Sequence, residues 1–227
     1  HDWFNTPTPN CSLELVAKFP QHGWMITRSH TKGDAPSIAV FSECERYRYA
    51  LTRVWGPKDL RVNFIMLNPS TATEVQNDPT VERCERRART LGFGGFCVTN
   101  IFAWRDTDPK KMRAARDPIG PENDTAISDA CNWADQIIAA WGTHGAYLDR
   151  GVQVAEIIRR SRKPVFHLGL SKEGHPKHPL YIAYSQQPQM WKWFPVLKSQ
   201  SYIAMVFTSD FYRAGKGKTL LLLHGYP

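Results

Sequence analysis

Long apolar runs are missing from this 227-residue chain. None approaches the roughly 20 residues a helix needs to cross a bilayer, so no membrane partner is expected. The first residues, His1-Asp2-Trp3-Phe4, have neither a basic n-region nor an apolar h-region, and no signal peptide is read there. Cysteine is scarce and scattered: Cys11, Cys44, Cys84, Cys97 and Cys131 make an odd number with no C-x-x-C pair. Zinc ribbons and iron–sulfur sites want tighter clusters, so these read as reduced, mostly buried thiols of a cytoplasmic protein with no metal and no cofactor.

What is present fits one good core. Apolar residues make up 42% of the chain, which is ordinary for a globular protein. Lysine and arginine number 29 against 21 acidic residues, a formal charge of +8. That excess favours a polyanionic partner, DNA first, single- or double-stranded. The plain alternative is a basic surface without meaning. A monomer is expected.

The chain is organised around Phe64-Ile65-Met66-Leu67-Asn68-Pro69-Ser70-Thr71-Ala72, followed by Asn77-Asp78-Pro79-Thr80. Val62 to Leu67 reads as a buried strand cut off by an Asn-Pro turn. In open α/β sheets ligands sit where strands end and loops cross to helices, which makes this polar loop a site candidate. The bland reading is a polar turn before a helix.

Residues 1–36 are expected to form an irregular arm. Ile38 to Phe41 and Tyr47 to Trp55 read as a hairpin whose Arg46, Arg48 and Arg53 form a solvated face. Thr80 begins a helix with Val81, Cys84, Ala88 and Leu91 on one side, closed by Gly92-Phe93-Gly94-Gly95. Phe96 to Phe102 is the second central strand, and its Thr99-Asn100 is polar inside an apolar run; a buried amide needs a partner, and a ligand can be one. Pro109 opens a short basic helix and Pro121 another. Gln136 to Trp141 is the third strand, Val152 to Ile158 a helix, and Pro164 to Leu168 the fourth strand. The alternation implies an α/β fold, a three-layer α/β/α arrangement with a central, mainly parallel four-stranded sheet plus an N-terminal antiparallel hairpin. The α/β domain is placed at residues 37–195, with a C-terminal appendage at 196–227.

Asn68 with Asp78, Thr99-Asn100, Trp141-Gly142-Thr143-His144 and His178 all fall just beyond the carboxyl ends of these four strands. Four strands ending in polar chemistry point to one site.

From about Ser37 to Trp191 the chain resembles an uncharacterised bacterial and phage family, a domain of unknown function. The motifs that carry this are Asn68-Pro-Ser-Thr-Ala, Asn77-Asp-Pro-Thr, Gly92-Phe-Gly-Gly, Gly120-Pro-Glu-Asn-Asp, Ala140-Trp-Gly-Thr-His-Gly and His178-Pro-Leu-Tyr. The order of motifs also resembles the uracil-DNA glycosylase superfamily, at Asn68-Pro69, Asn100, Trp141-Gly142 and His178-Pro179. That resemblance implies a uracil-DNA-glycosylase-like fold and hydrolysis of the N-glycosidic bond of a flipped base in DNA. Asn68, Asp78 and His178 would be catalytic: Asn68 orients a water, Asp78 polarises it or balances the sugar cation, and His178 stabilises the departing base. Asn100 would read the base, with Phe102 or Trp104 stacking on it. Leu180 and Tyr181 would wedge into the DNA stack, and Ser70, Thr71, His144, Lys172 and Lys177 would contact DNA. Leu180 stands where the superfamily places Ser, and no aromatic closely follows Asn68. An enzyme on free, modified nucleotides or nucleosides and a non-catalytic nucleic-acid-binding module remain the other readings. The last residues, Thr219 to Pro227, look like the first core strand and His-Gly turn of an α/β-hydrolase, without room for that fold's nucleophile elbow; an added strand is the expected use.

Overall fold

In the computed structural model, residues 25–57 and 59–192 are described. The expected appendage at 196–227, Cys11 and most of the expected arm lie outside them. The elements are β1 (Met25–Lys32), β2 (Ala35–Ser42), β3 (Arg48–Val54), β4 (Arg61–Met66), α1 (Pro79–Thr90), β5 (Gly95–Asn100), α2 (Pro109–Ala114), α3 (Asn123–Trp133), β6 (Gln136–Ala139), α4 (Arg150–Ser161), β7 (Val165–His167) and β8 (Gln189–Met190). Two 3-10 segments, Thr143–Asp149 and Pro179–Tyr181, stand in the loops after β6 and β7.

All the strands join one mixed sheet in the order β1-β2-β3-β5-β4-β6-β7-β8. The four expected strands pair in parallel, β5 with β4, β4 with β6 and β6 with β7. The remaining neighbours, β1–β2, β2–β3, β3–β5 and β7–β8, are antiparallel. The sheet is thus wider and less parallel than the four-stranded centre expected from sequence. Its hairpin is fused to it, because β3 pairs with β5. The irregular arm also needs correcting, since Met25–Lys32 is a strand. Its polar, half-exposed residues (Arg28, Ser29, His30, Thr31) hide a period that only pairing with β2 enforces.

Side-chain alternation along each strand divides the core between the sheet's two faces. On one face Val62, Phe64 and Met66 of β4 and Phe96 and Val98 of β5 pack with Val81, Cys84 and Ala88 of α1. On the other, Ile65 of β4 and Ile137 and Ala139 of β6 pack with Ile127 and Cys131 of α3 and Val154 and Ile158 of α4. Cys84, Cys97 and Cys131 are buried free thiols, whereas Cys44 is exposed. Burial pushes the Cys97 and Cys131 thiols up to about 12, which keeps them protonated and unreactive. Among the described residues no helix is long and apolar enough to cross a membrane.

Two arginines depart from expectation. Arg48 and Arg53 are not a solvated face but are fully buried, while Arg46 is exposed. Their partners come from β2, the loop after β4 and α1, well removed along the chain, which local alternation cannot reveal. Arg48 donates to the Ala72 carbonyl at 2.8 Å. Arg53 donates to Ser37 Oγ, Asn77 Oδ1, Glu85 Oε2 and the Thr73 carbonyl.

Candidate active site

β4 lies between β5 and β6, so the chain leaves it in one direction to reach β5 and later returns on its other side. Loops at such a reversal point part from one another and leave a crevice. Here the crevice is a cleft of about 870 Å³ lined by residues following all four parallel strands: Leu67, Asn68, Ser70 and Thr71 after β4, Asp106 and Thr107 after β5, Trp141 to His144 after β6, and Ser171, His175, Lys177, His178 and Leu180 to Ile182 after β7. Asp78, Pro79 and Thr80, at the start of α1, complete the wall.

The Asn68 loop is held from both sides. Asn68 Nδ2 donates to the Asp106 carbonyl at 2.7 Å and to the Pro69 carbonyl at 3.2 Å, and Asp106 N returns a bond to the Pro69 carbonyl at 2.9 Å. With its amide hydrogens committed to carbonyls, Asn68 keeps its Oδ1 as an acceptor for a ligand. Asp78 caps α1: its Oδ1 accepts from Thr80 N (3.0 Å) and Val81 N (2.8 Å), and its Oδ2 from Ala72 N (3.3 Å). Asn77 is occupied by Arg53, Glu82 and Glu85. This motif therefore builds the loop as much as it lines the cleft.

The loop after β6 owes its form to Trp141. A Cβ on Gly145 would stand 2.2 Å from the Trp141 ring, and Gly142 has a φ of +74°, so glycine is required at one position by space and at the other by backbone. The Gly142 amide donates to the Pro176 carbonyl at 2.7 Å, which ties this loop to the one after β7. His144 is exposed at the rim, and its Nδ1 accepts from Arg113 at 2.6 Å. Burial and then the Arg113 charge hold its pKa below the usual histidine value.

His178 precedes Pro179 in the last loop, and its Nδ1 accepts from the Leu180 amide at 3.4 Å. The ring proton of the neutral imidazole therefore sits on Nε2. Burial pushes the pKa down to about 4, with His144 adding to the shift and the Asp78 carboxylate opposing it. At neutral pH His178 is an uncharged donor. Leu180 and Tyr181 follow it at the mouth, Tyr181 with 84% of its surface exposed.

The cleft thus gathers Asn68, Ser70, Thr71, Asp78, His144, Lys177, His178, Leu180 and Tyr181 from the sequence-derived set. It does not gather Asn100, Phe102, Trp104 or Lys172. Asn100 is 1% exposed, and neither atom of its side-chain amide has a hydrogen-bond partner. Alternation places it on the α1 face of β5, in line with Phe96 and Val98. Phe102 is core, its ring 5.8 Å from that of Tyr147, and Trp104 stands edge-on to Tyr47 at 5.5 Å. Lys172 is exposed on the turn after β7. The reading from sequence did not select Asp106, Thr107, Ser171 or His175, which also line the cleft. The signal for Asp106 was available: it follows β5 in an Asp-x-Asp-Pro turn, by the same strand-end logic that selected Asn68. Among the described residues no group of three or more His, Cys, Asp or Glu side chains is arranged to hold a metal ion.

Gly120-Pro-Glu-Asn-Asp acts at a distance. Asn123 Nδ2 donates to the Asn100 and Ile101 carbonyls at 3.0 and 3.1 Å, and Asp124 pairs with the buried Arg150, which itself donates to the Ile101 carbonyl at 2.7 Å. These bonds satisfy the carbonyls at the end of β5, where ladder partners run out.

Comparison with curated proteins finds no match, and comparison with solved structures finds none either. The family model described as protein of unknown function (DUF1643) matches residues 48–180, more than half of the chain and nearly all of the cleft, and the chain belongs to that family.

Proposed function

We propose that this chain is a DNA glycosylase-like enzyme that hydrolyses the N-glycosidic bond of a flipped uracil-like, damaged or modified base in DNA, on a framework akin to the uracil-DNA glycosylase superfamily. The observation that carries the reading is one cleft holding a neutral His178 donor and an Asn68 whose free Oδ1 is an acceptor. Breaking an N-glycosidic bond leaves a cationic sugar and an anionic base. His178 Nε2–H suits the anion, and a preorganised donor in a water-poor site is worth roughly 3–4 kcal/mol in the transition state. Asn68 Oδ1 suits a water that must be aimed at C1′. Leu67, Trp141 and Ile182 offer the walls that a planar base would meet. Tyr181, exposed beside His178, is placed to fill the gap left in the stack. Asn100, buried beneath the loop, is given no part in reading the base.

Single-turnover incubation with labelled oligonucleotides carrying uracil, hypoxanthine, hydroxymethyluracil or a mismatch, followed by hot alkali, tests this. Alkali-labile product that disappears in His178→Ala is the expected result. No product from any of them, with wild-type protein confirmed folded, overturns it. One observation favours action on a free modified nucleotide or nucleoside instead: Lys177 is the single lysine or arginine among the described residues lining the cleft. Release of base from nucleosides but not from oligonucleotides would establish that second reading.

A further inference from the structure

We infer that Asp106, and not Asp78, is the carboxylate that takes the proton from the attacking water. The inference rests on the glycosidic-bond reading above. Asp78 is spent on structure: a carboxylate has about four lone-pair positions, and three backbone N–H groups already occupy this one. It is buried at the head of α1, where its charge meets the helix N-terminus.

Asp106 is placed differently. It lines the cleft and is only partly buried. Its Oδ1 accepts from the Asp108 amide at 2.9 Å, while its Oδ2 has no partner among the described residues. Its own backbone clamps Asn68, accepting from Nδ2 at 2.7 Å and donating to the Pro69 carbonyl at 2.9 Å. One rigid unit therefore carries two unsatisfied acceptors, Asn68 Oδ1 and Asp106 Oδ2. A water donating one hydrogen to each turns its lone pair outward. As the C1′–N bond breaks, its electron pair leaves on the base nitrogen toward His178 Nε2–H. The water oxygen bonds to C1′, and the proton it sheds passes to Asp106 Oδ2.

The test compares Asp106→Asn with Asp78→Asn, after thermal melting confirms that both fold; asparagine can keep the Asp108 amide bond at the first position and the Thr80 and Val81 cap bonds at the second, where only the bond from Ala72 N is lost. Two readouts are taken: the single-turnover rate of base release, and the affinity for an oligonucleotide carrying a cationic pyrrolidine abasic-site analogue relative to its uncharged tetrahydrofuran counterpart. Asp106→Asn should slow release by about 100-fold or more and lose the preference for the cationic sugar, because both need the carboxylate charge. Asp78→Asn should stay within about 5-fold of wild type on both. A deeper loss in Asp78→Asn, or an Asp106→Asn variant within 5-fold of an active wild type, overturns the assignment and leaves the glycosidic-bond reading standing. A wild-type protein that releases no base and does not distinguish pyrrolidine from tetrahydrofuran overturns that reading and Asp106 with it.

Discussion

Arg53 of β3 reaches Glu85 of α1 at 2.8 Å with its guanidinium wholly inside the protein. The same guanidinium holds Asn77 and the Thr73 carbonyl, so strand, loop and helix share one buried charge. Removing Arg53 takes from Glu85 its one fully buried cation, leaving it the more exposed Arg89 and Lys32, and strands Asn77 Oδ1 and the Thr73 carbonyl. Arg53→Met is expected to lower the free energy of unfolding by about 3–5 kcal/mol, read as a shift of the urea midpoint with the slope unchanged.

His178 makes stability depend on pH with a definite sign. Its pKa lies at about 4 in the folded chain against 6.5 for an ordinary histidine, so below pH 6.5 the unfolded chain takes up the proton first. Its contribution is complete above pH 6.5, declines as the pH falls toward 4, and is gone below that. Over this window His178→Gln should flatten the stability profile by on the order of 3 kcal/mol at most, measured by urea unfolding at a series of pH values.

The glycines after β6 separate strain from space. Gly142→Ala meets only His178 Cβ at 3.8 Å but retains a positive φ, and should cost about 1–2 kcal/mol. Gly145→Ala drives a methyl into the Trp141 ring and should cost about 1–3 kcal/mol while shifting the tryptophan fluorescence. Equal costs with no spectral change would contradict the packing described.

Asp78 as a helix cap predicts an ordering of variants. Asp78→Ala should destabilise by about 0.5–2 kcal/mol, and Asp78→Asn by less, because asparagine keeps the cap bonds to Thr80 and Val81 and gives up only the longer one from Ala72. Thermal melting decides this without reference to any activity.

Tyr181 is exposed and outside the core, so Tyr181→Ala should leave the melting temperature unchanged. If the residue wedges into a DNA stack, affinity for a duplex with a mismatched base should fall about tenfold, and affinity for a single strand far less.

The parallel strands were legible because each is a short apolar run closed by a turn residue, as Met66-Leu67 is by Asn68-Pro69. The helix after Asn77-Asp78-Pro79 was legible from its cap and its apolar stripe, and Val81, Cys84 and Ala88 are indeed buried on the side of β4. β1 escaped because none of its residues is buried, and β8 because it is two residues paired at the sheet's edge. Strand-end logic found Asn68, Asp78 and His178, since it needs only the order of elements. It could not tell which polar residues face the cleft and which serve neighbouring carbonyls, a distinction made by partners up to a hundred residues away. Asn100, the last residue of β5, and Asp106, six residues further on, share one strand end, yet one is in the core and the other lines the cleft.

The arginines of α1 have a mechanical meaning. Arg87 donates to the carbonyls of Ala183 and Gln186, Arg83 donates to that of Ile182, and both guanidinium groups lie over the Tyr184 ring. The segment that continues from His178 is thereby riveted to the helix that Asp78 caps. Two walls of the cleft, the start of α1 and the stretch after His178, are fixed to a common beam. Joined in this way they are expected to shift together rather than against each other, so that the gap between them is set by the fold before anything enters it.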